Sequence, residues 1–229
     1  LRMVSLAQSM YGFAHMKIKV GIEGKDDVKR LKLFRSWASS AIDLRVDANE
    51  AWSPEVAAAR IGALEPMGIT CVEQPLRHED AEHLPALRKA VRTPIMLDES
   101  LCGIHDAEQA IANGWCDVFN LRLSKCGGYV ASLRLAQRAR AAGLECQLGC
   151  QVGETGILSA AGRHFASSVG GLRYVEGSYD GWLVREALAT SNLTFGRGGW
   201  APALTGPGLG ITIDSEALRR ITVRVQPLA

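Results

Sequence analysis

Five charged residues each follow a short apolar, β-branched run, and they recur along the chain at a nearly constant spacing. The steps between them are about 25 to 28 residues, close to the length of one strand plus one helix. Charged strand ends at one period indicate successive parallel strands of a single sheet, which bring their ends to the same edge. In chain order these residues, called here the charge ladder, are Lys19, Asp47, Glu73, Asp98 and Lys125.

Length and charge limit the class of protein. The chain has 229 residues, of which 47% are hydrophobic and 22% charged, and this suits one globular domain with a sizeable core. A single (β/α) barrel needs about 200–250 residues, so the length fits one barrel. The net charge is +2 without a long basic run, so neither nucleic acid nor a membrane is the expected partner. No apolar stretch reaches the roughly 18–20 residues of a membrane span.

The six cysteines do not form a metal or disulfide pattern. No pair has C-x-x-C spacing, and no histidine pair follows at zinc spacing. Several lie in apolar runs, where a small buried thiol is the usual interpretation. We therefore expect reduced cysteines and a cytoplasmic protein.

Strand and helix signals alternate through residue 178. Strands are predicted at 15–20, 42–49, 69–75, 94–100, 117–123, 144–150 and 172–178, and helices at 2–11, 26–37, 54–67, 78–91, 104–113, 129–142 and 154–169. Strict alternation predicts parallel strands with right-handed crossovers, which is an α/β architecture. A doubly wound sheet is the alternative, but KVGIEG shares only its glycines with the G-x-G-x-x-G loop of that fold. We favour a TIM-like barrel over residues 1–190.

Residues 191–229 leave this cycle. They are rich in Gly and Pro and end with the alternating run ITVRV. We expect a C-terminal return segment that packs outside the barrel repeat. Seven strands are one short of a closed barrel, so we also expect that a first strand is missing upstream of residue 1.

The three acids of the charge ladder indicate a metal site. Asp47, Glu73 and Asp98 would end consecutive strands at the mouth of the barrel, where repulsion would raise their pKa values. A hard divalent cation such as Mg²⁺ or Mn²⁺ would relieve that repulsion, and the absence of His and Cys argues against zinc. The alternative is that each acid pairs with an arginine or a helix N-terminus.

The lysines lie on either side of these acids. Lys17 and Lys19 share one face of a strand, so each should depress the other's pKa. A lysine with an ordinary pKa near 10.4 must fall to roughly 7–8 to act as a general base. With Lys125 on the far side, the set suits removal of a proton next to a carboxylate, whose enediolate needs concentrated positive charge. The alternative for the K-x-K pair is a solvated strand end.

The ordered motifs K-x-K, D-A-N, E-Q-P, D-E-S and K-x-G-G resemble those of the enolase superfamily. Within it they are similar to the muconate-lactonizing-enzyme subgroup, which also holds o-succinylbenzoate synthases, N-succinylamino acid racemases and dipeptide epimerases. The resemblance covers about residues 12–215. It implies a (β/α)₇β barrel, here without its first strand and without the N-terminal capping domain on which the return segment packs. In this family that domain closes the site and helps to select the substrate.

The resemblance also implies roles for individual residues. Mg²⁺, or alternatively Mn²⁺, would be bound by Asp47, Glu73 and Asp98. Lys19 and Lys125 would be the acid/base pair on opposite faces, with Lys17 supporting Lys19. The residues expected in the second shell or next to substrate are Asn49, Glu99, Glu154 and Glu176.

Three further positions separate the subgroups. Glu154 either touches substrate or caps the helix that follows it. The D-x-D of dipeptide epimerases is absent from VEGSYD, where Glu176 or Asp180 would partly replace it. His164 falls inside a predicted helix, so we interpret it as structural and not as the base of a mandelate-racemase-type enzyme.

The expected function is Mg²⁺-dependent abstraction of the proton α to the carboxylate of a small substrate. The resulting metal-stabilised enediolate would lead to cycloisomerisation, syn-elimination, or racemisation and epimerisation. Two alternatives remain open: a non-catalytic truncated barrel that binds metal or a partner, and a Schiff-base lyase that uses Lys19 or Lys125. We expect a homo-oligomer, as is common for barrels of this kind.

Overall fold

Seven short parallel strands form the centre of the molecule. The computed structural model describes residues 10–177 and 180–226. The strands are β1 (His15–Lys19), β2 (Asp43–Asp47), β3 (Ile69–Glu73), β4 (Ile95–Leu97), β5 (Val118–Leu121), β6 (Glu145–Leu148) and β7 (Tyr174–Val175). They pair in sequence order, and every pairing is parallel. The prediction of a TIM-like α/β barrel is confirmed.

Helices connect and follow these strands. They are α1 (Asp27–Arg35), α2 (Pro54–Leu64), α3 (Leu84–Ala90), α4 (Ile104–Asn113), α5 (Gly128–Ala141), α6 (Gly156–Val169), α7 (Asp180–Leu183) and α8 (Ser215–Ile221). The first begins where Asp26 accepts a hydrogen bond from the Lys29 amide at 2.9 Å, which is an N-cap. Of the helix predicted at 2–11, residues 2–9 lie outside the described residues, and 10–11 form a helical turn.

Prolines divide two of the predicted helices. The helix predicted at 54–67 is α-helical only to Leu64 and ends in the 3₁₀ turn Glu65–Met67. Pro66 has no N–H to continue the α-helical hydrogen bonds, so the last turn tightens. The helix predicted at 78–91 begins as 3₁₀ over His78–His83 and becomes α3 only where Pro85 occupies the first turn.

The sheet curls into a nearly closed barrel with one opening. Among the described strands, β1 and β7 each pair with a single neighbour. Their side chains nevertheless meet: Lys17 Nζ lies 2.8 Å from Glu176 Oε1. The rings of His15 and Tyr174 pack edge to face with centroids 5.5 Å apart. We call this junction, bridged by side chains, the seam.

Apolar packing lies both outside and inside the sheet. The main core fills the space between strands and helices, and it includes fully buried side chains such as Leu31, Phe34 and Ile61. A smaller cluster joins β3, β4, β5 and β7, and it consists of Cys71, Met96, Val118 and Tyr174. The core holds the strands in register, so their polar ends reach one mouth.

The return segment packs against α6. Leu204, Leu209 and Ile211 contact a buried cluster that includes Ala160 of this helix. His164 Nε2 lies 3.1 Å from the carbonyl oxygen of Leu209, which supports its interpretation as structural. The domain boundary between residues 190 and 191 stays a prediction. No helix in residues 10–177 or 180–226 is long and apolar enough to cross a membrane.

Candidate active site

The charge ladder converges at the carboxyl ends of the strands. Asp47 ends β2, Glu73 ends β3 and Asp98 directly follows β4, and all three side chains are buried. Lys19 Nζ lies 2.7 Å from Asp47 Oδ2, and Lys125 Nζ lies 3.0 Å from Asp98 Oδ1. The two lysines therefore contact the two outer acids of the row.

Glu73 is the middle acid of the row, and three side chains contact it. Lys17 Nζ donates to its Oε2 at 3.0 Å, and Asn120 Nδ2 donates to its Oε1 at 2.9 Å. The Arg122 guanidinium lies 3.4 Å from Oε1 and also contacts Asp98. With these cations between the acids, no three His, Cys, Asp or Glu side chains of the described residues are arranged to share a metal ion.

The acids nevertheless have the chemistry of a hard-cation site. Three carboxylates from consecutive strand ends supply oxygen donors, which Mg²⁺ and Mn²⁺ prefer. Asp98 Oδ1 is buried and accepts no hydrogen bond from the described part of the chain, although Lys125 is near. Burial and repulsion from neighbouring carboxylates raise the pKa of Glu73 to about 7, even with Lys17 against it. The residues present therefore fit a divalent cation.

Lys17 is surrounded by acids. Burial lowers its pKa, but the carboxylates of Glu73, Glu176 and Asp47 outweigh that effect and raise the pKa above its ordinary value. We expected Lys19 to lower the pKa of Lys17, but the net effect of all neighbours is to raise it. This side chain is a stable cation at the centre of the site.

Glu176 is the counter-ion of two basic residues. Its Oε1 lies 2.8 Å from Lys17 Nζ and 2.6 Å from Arg45 Nη2. Burial acts to raise the pKa of Glu176, but the two cations lower it below its ordinary value. Glu176 also lines the cavity described below, so a contact with substrate stays a prediction.

The two flanking lysines have different surroundings. The Lys19 side chain is 51% exposed and contacts Asp47 and Asn49. The Lys125 side chain is 13% exposed, and its ammonium donates to the carbonyl oxygens of Asp98 and Leu101. One lysine therefore faces solvent while the other is held by backbone.

Asn49 and Glu99 lie next to the charge ladder, and their place in the second shell stays a prediction. The Asn49 amide N–H donates to Asp47 Oδ1 at 3.0 Å, and its side chain donates to Glu99 Oε1 at 3.0 Å. Asn49 also contacts Lys19 through its Oδ1, so it joins an acid of the ladder to a lysine.

Glu154 does not cap the helix that follows it. The N-cap of α6 is Thr155, and Glu154 Oε1 instead accepts from the Gln151 amide at 2.8 Å and from Ser124 Oγ at 3.2 Å. Its side chain holds the loop between β6 and α6. It also lines the cavity, so its contact with substrate stays a prediction.

Four polar residues of the site were absent from the sequence prediction. Asn120 and Arg122 stand two apart at the end of β5, and Arg45 stands two before Asp47 on β2. Alternate residues of a strand share a face, so polar residues at i and i+2 within an apolar run were the available signal. The fourth is Gln74, for which the E-Q-P motif predicted no role.

Gln74 ties the end of β3 to the loop after β4. Its buried side chain accepts from the amides of Asp98 and Ser100, at 2.9 and 3.2 Å, and donates to Leu76 O and Ser100 Oγ. Its φ of 36° is a left-handed conformation that non-glycine residues rarely adopt. Gln74 therefore fixes the backbone that carries Asp98.

Replacing Gln74 by alanine is expected to destabilise the protein by about 3 kcal/mol, because several buried partners would lose their hydrogen bonds. The free energy of unfolding from urea titration measures this loss. Gln109→Ala, on the exposed face of α4, is the matched control and should change stability by less than about 0.5 kcal/mol. Equal stability of the two variants would contradict the role of Gln74.

A cavity large enough for a small molecule opens beside the seam. Its volume is about 920 Å³, and its lining includes Lys17, Lys19, Arg122, Glu154 and Glu176. Volumes of about 300–1,000 Å³ are typical of small-molecule sites. The site thus combines three buried acids, one exposed and one largely buried lysine beside them, and an open cavity.

Comparison with known proteins agrees with this geometry. The family model described as "Enolase C-terminal domain-like" matches residues 2–217. A hydrophobic dipeptide epimerase of Enterococcus faecalis is 41% identical over 157 residues, covering 69% of this chain and 44% of that protein. An N-succinyl-L-Arg/Lys racemase of Bacillus cereus is 33% identical over 218 residues, covering 93% and 56%.

A solved structure is similar over almost the whole chain. The dipeptide epimerase of Cytophaga hutchinsonii, complexed with Mg and the dipeptide D-Ala-L-Val, gives a TM-score of 0.88 at 31% identity, covering 96% of this chain and 59% of that one. The chain spans about half the length of the curated relatives that it matches. The chain belongs to the enolase superfamily, and within it to the muconate-lactonizing-enzyme subgroup.

Proposed function

We propose that this chain forms the catalytic barrel of a Mg²⁺-dependent enzyme that removes the proton α to a substrate carboxylate. The observation that carries the proposal is the order of groups across the mouth. Lys19 contacts Asp47 at one end of the row of acids, and Lys125 contacts Asp98 at the other. A substrate seated over the acids would have a lysine on each side of its α-carbon.

Each group has a distinct task in this proposal. Asp47, Glu73 and Asp98 would hold the ion, and a bound Mg²⁺ supplies the positive charge that stabilises an enediolate. Lys19 and Lys125 take up and return the proton at their Nζ atoms, each from its own side. Lys17 stays charged and holds Glu73 and Glu176 in place.

The substrate class is supported by the relatives. One is named for dipeptides and the other for N-succinyl arginine and lysine. Both kinds of compound carry a carboxylate next to a carbon that bears an acylated nitrogen. We therefore propose an N-acylamino carboxylate as substrate and racemisation or epimerisation as the outcome, ahead of cycloisomerisation or elimination.

Exchange of the α-proton with solvent tests this function. The purified protein with Mg²⁺ in deuterated water should remove the NMR signal of the proton next to the α-carboxylate in N-succinylamino acids or dipeptides, and not the corresponding signal of their α-carboxamides. A panel that also contains muconates would reveal a cycloisomerase. Absence of exchange throughout, with a carbonyl substrate trapped on a lysine by borohydride, would favour the Schiff-base alternative instead.

A further inference from the structure

Glu73 receives one hydrogen bond from a neutral side chain. Asn120, fully buried at its place on β5, donates from Nδ2 to Glu73 Oε1 at 2.9 Å. Lys17 and Arg122 also lie against Glu73, but both contact other acids as well. Asn120 is therefore the partner that orients this carboxylate without adding charge to the site.

The space for this amide is provided by a glycine just after the neighbouring strand. Gly149 directly follows β6, and its N–H donates to Leu121 O, which continues the β5–β6 ladder. A Cβ placed on Gly149 would lie 2.1 Å from Asn120 Oδ1, 2.9 Å from Cγ and 3.0 Å from Nδ2. No side chain tolerates such contacts, so the amide of Asn120 occupies the place of a Cβ.

Backbone conformation does not explain this glycine. Many glycines of the described residues have positive φ, but Gly149 does not. Its backbone does not require glycine, and the three nearest atoms that a Cβ would meet all belong to the side chain of Asn120. Asn120 thus supplies the amide that donates to Glu73, and Gly149 leaves the space that this amide occupies.

Asn120 also contacts the second half of the site. Its carbonyl oxygen lies 3.4 Å from Lys125 Nζ. Gln147, its register partner on β6, is fully buried beside it. Because Gly149 and Gln147 leave little space beside it, the Asn120 side chain has little freedom to adopt another rotamer.

We propose that Asn120 is a positioning residue that holds Glu73 ready for a divalent cation, and that Gly149 is the spacer that permits it. This inference rests on the proposed metal role of Glu73. Residues that orient metal ligands typically contribute about 10- to 100-fold to metal affinity. The same loss of metal affinity is expected whether the Asn120 amide is removed or displaced.

Binding of Mn²⁺, followed by the electron paramagnetic resonance signal of the free ion, tests the pair without relying on activity. Asn120→Ala and Asn120→Leu should each weaken binding about 10- to 100-fold. Leucine has the shape of asparagine without its donor, so it keeps the packing over Gly149. Gly149→Ala should cause a similar loss by displacing the amide.

The double variant Asn120→Ala/Gly149→Ala tests whether the effects of the two residues on Mn²⁺ binding are coupled. Alanine at 120 removes the three nearest atoms that the new Cβ would meet, so the double variant should bind Mn²⁺ within about twofold of Asn120→Ala alone. Losses that multiply instead would overturn the coupling. Thermal unfolding in chelator shows separately which variants fold.

Two matched controls lie away from the site. Asn113→Ala removes an exposed amide of α4, and Gly62→Ala adds a Cβ in α2 that meets nothing within 4 Å. Both should bind Mn²⁺ as the wild type does. Wild-type affinity in Asn120→Ala and Asn120→Leu would overturn this inference alone, whereas a wild-type protein that binds no Mn²⁺ would overturn the proposed function and the inference with it.

Discussion

Replacing Lys19 or Lys125 by alanine is expected to reduce α-proton exchange by about 10³-fold or more, for the substrate configuration whose proton faces the missing lysine. Positioned general bases contribute about 10²–10⁴-fold, and water in a site of buried charges is a poor substitute. Because the lysines contact opposite ends of the row of acids, each variant should fail with a different configuration. The double variant should fail with both.

Arginine at the same positions separates charge from proton transfer. Lys19→Arg and Lys125→Arg keep a cation at each position, but a guanidinium stays protonated near neutral pH. Both variants should therefore keep the fold and lose exchange as the alanine variants do. Recovery of exchange in the arginine variants would indicate that these residues act only through their charge.

NMR of each configuration in deuterated water makes the measurement, with circular dichroism to confirm the fold. Lys89→Ala, an exposed lysine of α3, is the control and should exchange at the wild-type rate. Near-wild-type exchange of both configurations in both alanine variants would remove the lysines from the mechanism.

Removal of divalent cations is the second change with a large expected effect. Chelation should abolish exchange, and added Mg²⁺ should restore it, because the enediolate would otherwise form beside three acids without its main stabilising charge. Cation binding should also stabilise the fold, by about 2.7 kcal/mol at an ion concentration 100 times the dissociation constant.

Substitution of the acids shows where the ion binds. Asp47→Asn, Glu73→Gln and Asp98→Asn should each weaken Mg²⁺ binding measured by titration calorimetry and lose the thermal stabilisation by Mg²⁺. Glu108→Gln is the control, because its carboxylate pairs with Arg138 on the surface, 2.6 Å from Nε. Full exchange in metal-free protein would exclude these acids as the functional ligands.

The charge ladder could be located from the sequence because strand ends carry their own signal. Each acid of the ladder ends or directly follows a largely buried strand, and the nearly constant period places consecutive strand ends side by side. This argument needs only local pattern and parallel topology. It is sufficient to find Asp47, Glu73 and Asp98 together in the folded chain.

The residues that orient the ladder could not be found in that way. Asn120 and Arg122 act through partners that lie more than 20 residues away, and their strand reads as an apolar run with two polar interruptions. The environment of Lys17 was also beyond local pattern, because Glu176 reaches it from the far end of the sheet. Both depend on how the sheet curls, which the period of the sequence does not specify.

Lys19 and Lys125 are held by different parts of the structure. Backbone hydrogen bonds pair β2, β3 and β4 on both sides, whereas among the described strands β1 pairs with β2 and meets β7 through side chains. The acids therefore stand on a stiff support. Lys19 stands on a strand with one backbone neighbour among the described strands, whereas the Lys125 ammonium donates to backbone carbonyl oxygens. Of the two proposed proton carriers, we therefore expect Lys19 to adjust its position more readily to a bound substrate.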